Sequence, residues 1–218
     1  MANTELTPAQ QDLSAELFNI GAIRFGDFKL KLHDQHPEAP LSPVYIDLRI
    51  LRRFPDAKMA AVDVYEELVR PLKFDLLADI PTAVTPLVSS LADRLAVGMV
   101  TPRTDNKSHG SGAKIDGALE EDKGKVAVLI DDLVTRADSK LEAAAVLRTH
   151  PIGVKDMVVL IDREQGGRQQ LESLGYDLHA ALTMNRMLEF YASAGSITSA
   201  VYDDAVKRID TLNKFLGI

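Results

Sequence analysis

Five apolar residues, Val126 to Ile130, form a run too short for a buried helix and rich in β-branched side chains, so they predict a core strand of a parallel sheet. Two carboxylates, Asp131 and Asp132, follow directly, then a polar turn from Thr135 to Ser139, then LEAAAVLR, which favours helix throughout. Similar apolar runs at Phe74 to Ala78, Val97 to Val100, Val154 to Ile161 and Tyr176 to Thr183 predict further strands. Helical spacing fills the intervals. Thr7-Pro8-Ala9-Gln10 reads as a capped helix start, with Leu13 and Leu17 on one face and Gly21 as the stop. A second helix is expected from Pro55 to about Val69, with Asp56 as N-cap, and others at Leu87 to Leu95, Asn185 to Ala194 and Asp203 to Phe215. The last carries an apolar stripe of Ala205, Val206, Ile209, Leu212 and Phe215, suited to packing or a dimer contact.

Strands alternating with helices predict a doubly wound α/β domain with a mostly parallel sheet. Near the N-terminus the period changes to two. Phe28 to Leu32 and Val44 to Arg49 each alternate apolar and polar residues, with the Pro-containing connection HDQHPEAPLSP between them. They predict an antiparallel pair at the edge, a small hood formed by residues 20–50.

In open α/β sheets, ligands bind beyond the carboxyl ends of the strands, and a helix N-terminus offers unpaired amides to an anion. Asp131 and Asp132 at a strand end, with Thr135 and Ser139 at a helix start, suit a ligand bearing sugar hydroxyls and a phosphate. The same stretch also fits a ligand-free reading, because Ser139-Lys140-Leu141-Glu142 has the pattern of a capping box. After Val154 to Ile161 comes Asp162-Arg163-Glu164-Gln165-Gly166-Gly167, which sets a guanidinium fork at another strand end. Arg103, Lys107 and His109 stand in a Gly-, Ser- and charge-rich stretch reaching Gly124, expected to be a long loop.

With 218 residues the chain can form a single domain over 1–218, and its 46% hydrophobic and 26% charged residues are ordinary for a globular protein. A net charge of −7 argues against a general nucleic-acid or anionic-membrane binder. The absence of cysteine excludes disulfides and thiolate chemistry. MANTELTPAQQDL lacks the basic and apolar segments of a leader, and no apolar run reaches membrane-spanning length. A soluble cytoplasmic protein is expected.

VAVLIDDLVTRADS resembles the phosphoribosyl pyrophosphate (PRPP) motif of the type I phosphoribosyltransferases. FGDFKLK, SPVYIDLR and DREQGG are similar to the hood and base-binding signatures of the orotate phosphoribosyltransferase family, and the separate motifs run from about Ile20 to Phe190 in that family's order. The resemblance implies an enzyme of pyrimidine synthesis, transferring phosphoribosyl from magnesium-bound PRPP to orotate, with the metal held through PRPP and not by a protein site. It places Asp131 and Asp132 on the ribose and the cationic transition state, and Thr135, Arg136, Ala137, Asp138 and Ser139 around the 5′-phosphate. Lys31, Tyr45, Ile46 and Arg163 are placed on the base. Arg103, Lys107 and His109 are placed on the departing pyrophosphate, in a loop to Gly110 that acts across the subunits of a homodimer. The chain departs from the family at Thr104, where Lys is usual, and at Asp79, Ala137 and Asp138, where glycine or a small residue is usual. Those departures keep two alternatives open: a phosphoribosyltransferase for another base, and a non-catalytic nucleotide-binding regulator on the same fold.

Overall fold

A computed structural model describes residues 6–34, 36–103 and 114–218. Helix α1 (Pro8–Asn19) begins at a reciprocal capping box: Thr7 Oγ1 accepts the Gln10 amide at 3.3 Å and Gln10 Oε1 accepts the Thr7 amide at 2.9 Å. It ends where Gly21 takes a φ of +73° and the amides of Gly21 and Ala22 reach back to the carbonyls of Phe18 and Leu17. Leu13 and Leu17 are buried.

The predicted antiparallel pair is present, shifted toward the N-terminus. Strand β1 (Ile23–Phe28) pairs with β2 (Ser42–Ile46), Ile23 opposite Ile46 and Phe25 opposite Val44. Lys31 is not on a strand: Lys31–Asp34 is a 3₁₀ turn, in which His33 Nδ1 accepts the Leu30 amide at 2.9 Å. Alternation also misleads in β2. The strand is buried on both faces except at Tyr45, because the C-terminal helix packs against it. The chain then leaves through a second 3₁₀ turn, Leu48–Arg53.

Helix α2 (Pro55–Val69) has Pro55 at its first position and Phe54 as N-cap. Asp56 therefore lies in the first turn, near the positive end of the helix dipole, and does not cap it. The remaining elements follow as β3 (Leu76–Asp79), α3 (Thr85–Leu95), β4 (Gly98–Pro102), β5 (Ile115–Asp116) and β6 (Val126–Val134). Then come α4 (Asp138–Arg148), β7 (Gly153–Asp162), α5 (Gly167–Ser173), β8 (Asp177–Thr183), α6 (Met184–Ser193) and α7 (Ser199–Phe215).

The described strands form a six-stranded sheet in the order β5-β4-β3-β6-β7-β8, parallel except for β5. Successive side chains enter different cores. Val128 and Ile130 of β6 join α1, α2, α3 and the hood on one face, while Ala127 and Leu129 join α4 and α5 on the other. Both faces are covered, which is why the strands read as continuous apolar runs. The direction of strand order reverses between β3 and β6. Helices α3 and α4 leave these two strands on opposite faces and open a crevice at their carboxyl ends.

The expected long loop after Arg103 is shorter than the composition suggests. Ile115 is apolar enough to be buried against β4, the Arg103 amide bonds the Lys114 carbonyl at 2.8 Å, and a 3₁₀ turn follows at Glu120–Asp122. Helix α7 begins earlier than predicted, and of its stripe Ala205, Ile209 and Leu212 are buried while Val206 and Phe215 are exposed. Among the described residues no helix is long and apolar enough to cross a membrane.

Candidate active site

The acidic pair lies within strand β6 and not beyond it. The strand runs on to Val134, with Asp131 opposite Val159 and Leu133 opposite Ile161. Alternation sends the two carboxylates to different places. Asp131 is 8% exposed: its Oδ2 meets Lys140 Nζ at 2.5 Å and its Oδ1 accepts the Asp132 amide at 2.9 Å. Lys140 is 3% exposed and also donates to the Leu133 carbonyl. Asp132 is half-buried, with Oδ1 accepting the Leu133 amide at 2.7 Å. Burial and the neighbouring Asp131 carboxylate push Asp132 up to about 7. From below, the buried Tyr65 phenol of α2 donates to the Asp131 carbonyl at 2.8 Å, and burial together with the two carboxylates holds that phenol well above its ordinary range.

The polar turn from Thr135 enters α4 without a capping side chain. Ala137 occupies the N-cap position and Ser139 is already inside the helix, so the capping box predicted at Ser139 is absent. The first-turn amides are thereby left to an external acceptor, as at an anion site. Asp138 does not pair with Arg136. Its Oδ1 accepts from Gln170 Nε2 of α5 at 3.3 Å, while Gln170 Oε1 takes the Ala137 amide at 3.0 Å. One amide side chain thus ties the turn and its carboxylate to the neighbouring helix. Thr135 is half-buried, and its carbonyl accepts the Gly167 amide at 3.0 Å.

Asp79 is not exposed in the loop after β3. It ends the strand fully buried, and its carboxylate accepts from the hydroxyls of Thr85 and Thr101. In the following turn the Pro81–Thr82 peptide is cis, and Arg52 Nη2 donates to the Thr82 carbonyl at 2.7 Å.

Arg163 follows β7, with its amide on the Val134 carbonyl at 2.9 Å, which sets it beside the acidic strand. The side chain is 6% exposed. Its Nε donates to Gln165 Oε1 and its Nη2 to Ser42 Oγ of the hood, both at 3.2 Å, and among the described residues no carboxylate pairs with it. Burial alone pulls the guanidinium down to about 10. Ser42 in turn donates to the Val44 carbonyl at 2.7 Å, and Gln165 reaches Asn213 of α7 at 3.4 Å.

In the hood, Tyr45 is half-buried, its ring 5.4 Å from Phe28 and beneath the Arg24 guanidinium at 4.8 Å. Ile46 turns the other way into the main core. Arg103 is exposed and paired with Asp116 at 2.7 Å. The side chain of Lys31, and Lys107 and His109 entirely, lie outside the described residues. The structure thus joins Asp131, Asp132, Thr135, Ala137, Asp138 and Arg163 around the carboxyl ends of β6 and β7. Ser42, Tyr65, Lys140, Gln165 and Gln170 belong to the same framework and were not singled out from sequence. Lys140 had a usable signal, since it heads the buried stripe Lys140, Ala143, Ala144, Leu147 of α4.

A parallel sheet with its reversal at β3 and β6, an acidic strand end leading into an uncapped helix, and an N-terminal hood over that edge define the type I phosphoribosyltransferase class. No family model matches the chain. A bifunctional enzyme PyrF/PyrE of Nostoc sp. is 36% identical over 186 residues, 85% of this chain and 37% of that protein. An orotate phosphoribosyltransferase of Caenorhabditis elegans is 30% identical over 195 residues, 88% of this chain and 82% of that protein. The crystal structure of orotate phosphoribosyltransferase from Aeropyrum pernix superposes with a TM-score of 0.72 at 28% identity, over 85% of this chain and 99% of that one. The chain belongs to the orotate phosphoribosyltransferase family. It spans 37% of the length of the Nostoc sp. enzyme and 40% of that of a uridine 5′-monophosphate synthase of Bos taurus.

Proposed function

We propose that the protein is an orotate phosphoribosyltransferase, displacing pyrophosphate from magnesium-bound PRPP with N1 of orotate to give orotidine 5′-monophosphate. The observation that carries this reading is Arg163, a buried guanidinium with no carboxylate partner among the described residues, held between the hood and the acidic strand. A buried cation of this kind is stabilised by an anion brought in from outside, and orotate carries a carboxylate on a flat ring. Tyr45 offers that ring a stacking face, with Lys31 completing the base side, while Ile46, turned into the main core, supports the strand from behind.

In this reading Asp132 accepts the ribose hydroxyls and stabilises positive charge developing at C1 as the C1–O bond to pyrophosphate breaks and the C1–N1 bond forms. Thr135, Ser139 and the first-turn amides of α4 take the 5′-phosphate. Arg103, Lys107 and His109 neutralise the departing pyrophosphate from the loop of a second subunit in a homodimer. Magnesium would be held through PRPP and not by a protein site, and would supply positive charge to the leaving group. Catalysis is positioning and electrostatics, with no covalent intermediate on the protein. Asp79 and Asp138, which at sequence level speak for a non-catalytic regulator, have hydroxyl and amide partners inside the protein. A cytoplasmic location fits a pathway enzyme of this type.

The test is to follow orotate loss and pyrophosphate release with PRPP and magnesium, beside the Lys107→Ala variant, a chelator control and a panel of competing bases. Magnesium-dependent turnover specific to orotate, reduced about 10²- to 10³-fold in Lys107→Ala, is the expected result. Mixing inactive Lys107→Ala and Asp132→Asn subunits restores turnover if the loop acts across a dimer. Turnover within about threefold of the parent in Lys107→Ala removes the loop from the mechanism.

A further inference from the structure

Lys140 is nearly inaccessible, stands on the core-facing stripe of α4, and has no part in the chemistry above. A lysine in an apolar helix stripe costs free energy unless it is paired, and here it makes two contacts of one kind. Its ammonium meets Asp131 Oδ2 at 2.5 Å and also bonds the Leu133 carbonyl. Those two residues flank Asp132. Asp131 Oδ1 takes the Asp132 amide, and Asp132 Oδ1 takes the Leu133 amide. The peptide units on either side of Asp132 are thus tied, through one ammonium, to the first turn of the helix that faces the 5′-phosphate.

We propose that Lys140 is a positioning residue for PRPP: by clamping Asp131 and the Leu133 carbonyl it fixes the direction of the Asp132 carboxylate relative to the start of α4. The proposal rests on the reading of the site as a PRPP site. Lys140 does not touch substrate, because it lies beneath the strand end, and Asp131 is turned toward it. Its effect travels through Asp131, so removing the ammonium leaves the Asp131 carboxylate buried without its cation and loosens the backbone that aims Asp132. The dimension controlled is the distance between ribose and phosphate subsites, which the base does not sense.

The experiment is a double-mutant cycle of Lys140→Met and Asp131→Asn, read as the affinity of PRPP with magnesium by calorimetry and, separately, as the KM values for PRPP and orotate. In the parent background Lys140→Met is expected to weaken PRPP about 10- to 100-fold, as loss of a supporting residue behind a binding group does, with the orotate KM within about twofold. In the Asp131→Asn background the same change is expected to add less than about twofold. Equal loss in both backgrounds would mean that the effect of Lys140 does not travel through Asp131, and would overturn the proposal. So would an unchanged PRPP affinity in folded Lys140→Met, or a parallel loss for orotate. Should Lys140→Met alone fail to fold, Asp131→Asn is compared with the double variant, which buries no unpaired charge, and a difference above about tenfold between them overturns the proposal. Calorimetric binding of PRPP by the parent does not depend on turnover with orotate, so failure of the functional reading and failure of the clamp are seen separately.

Discussion

Gly167 lies against Thr135 so closely that an added Cβ would stand 2.8 Å from the Thr135 carbonyl oxygen and 2.5 Å from Val134 Cγ2. Its amide also donates to that carbonyl at 3.0 Å. The turn that leads into α4 is therefore backed by the start of α5, and the second glycine of the DREQGG segment exists to let the two meet. Gly167→Ala is expected to push the turn outward. Overpacking of this kind costs about 1–3 kcal/mol, and because backbone has to give way, the KM for PRPP should rise while that for orotate changes less. Denaturant unfolding with the two KM values checks it, and an unchanged PRPP KM would show that the turn yields without consequence.

Arg163 predicts a trade between stability and binding. Its guanidinium is buried, has only neutral partners among the described residues, and is pulled down to about 10 by burial. The charged form is thus disfavoured in the empty folded site. Arg163→Leu should raise the stability of the ligand-free protein by about 1 kcal/mol and weaken orotate at least about 30-fold. Thermal melts with and without orotate decide this, since the parent should gain stability from orotate and the variant should not. A variant that melts lower than the parent would mean that Arg163 is structural.

Asp79 shows why a departure from a family pattern can mislead. In the sequence it is a carboxylate where the family usually has glycine or a small residue. In the fold it closes β3, fully buried, with the hydroxyls of Thr85 at the start of α3 and Thr101 in β4 as donors. Asp79→Ala strands both hydroxyls and should cost about 2–4 kcal/mol. Thr101→Val, which leaves the carboxylate one donor, should cost less. Equilibrium unfolding in urea measures both, and a cost for Asp79→Ala below that of Thr101→Val would contradict the arrangement.

The parts legible from sequence are those governed by local rules. The capping box at Thr7 and Gln10, the Gly21 stop and the apolar runs of the parallel strands follow from propensity and period, and all are found within a few residues of the expected bounds. Errors cluster where tertiary contacts take over. The 3₁₀ turn at Lys31–Asp34 breaks an alternation that would otherwise continue as strand, and β6 carries its acidic pair inside the sheet because β7 continues beside it to Asp162. Ser139 does not cap α4 because the helix already begins at Asp138, with Ala137 at the N-cap position and its amide held by Gln170 from 33 residues away. Arg163 was read correctly as a cation at a strand end, but its neighbour Ser42 is 121 residues distant, and no spacing rule connects them.

Burial and the Asp131 charge raise Asp132 from an ordinary 3.8 to about 7. In the unfolded chain the group returns to its ordinary value, so between about pH 4 and about pH 7 the folded protein keeps a proton that the unfolded chain has lost. The stability Asp132 contributes is therefore full at the acid end of that window and is lost as the pH rises through about 7. Relative to Asp132→Asn, which has nothing to titrate, the parent's melting temperature should decline across the window and level off above it. Binding should run the other way, because in the proposed site the ribose hydroxyls would donate to the ionised carboxylate: kcat/KM for PRPP should climb toward a plateau above about pH 7. Opposite slopes for stability and for kcat/KM over the same interval are the signature of one carboxylate serving both. A constant gap in melting temperature between parent and variant would place the titration elsewhere.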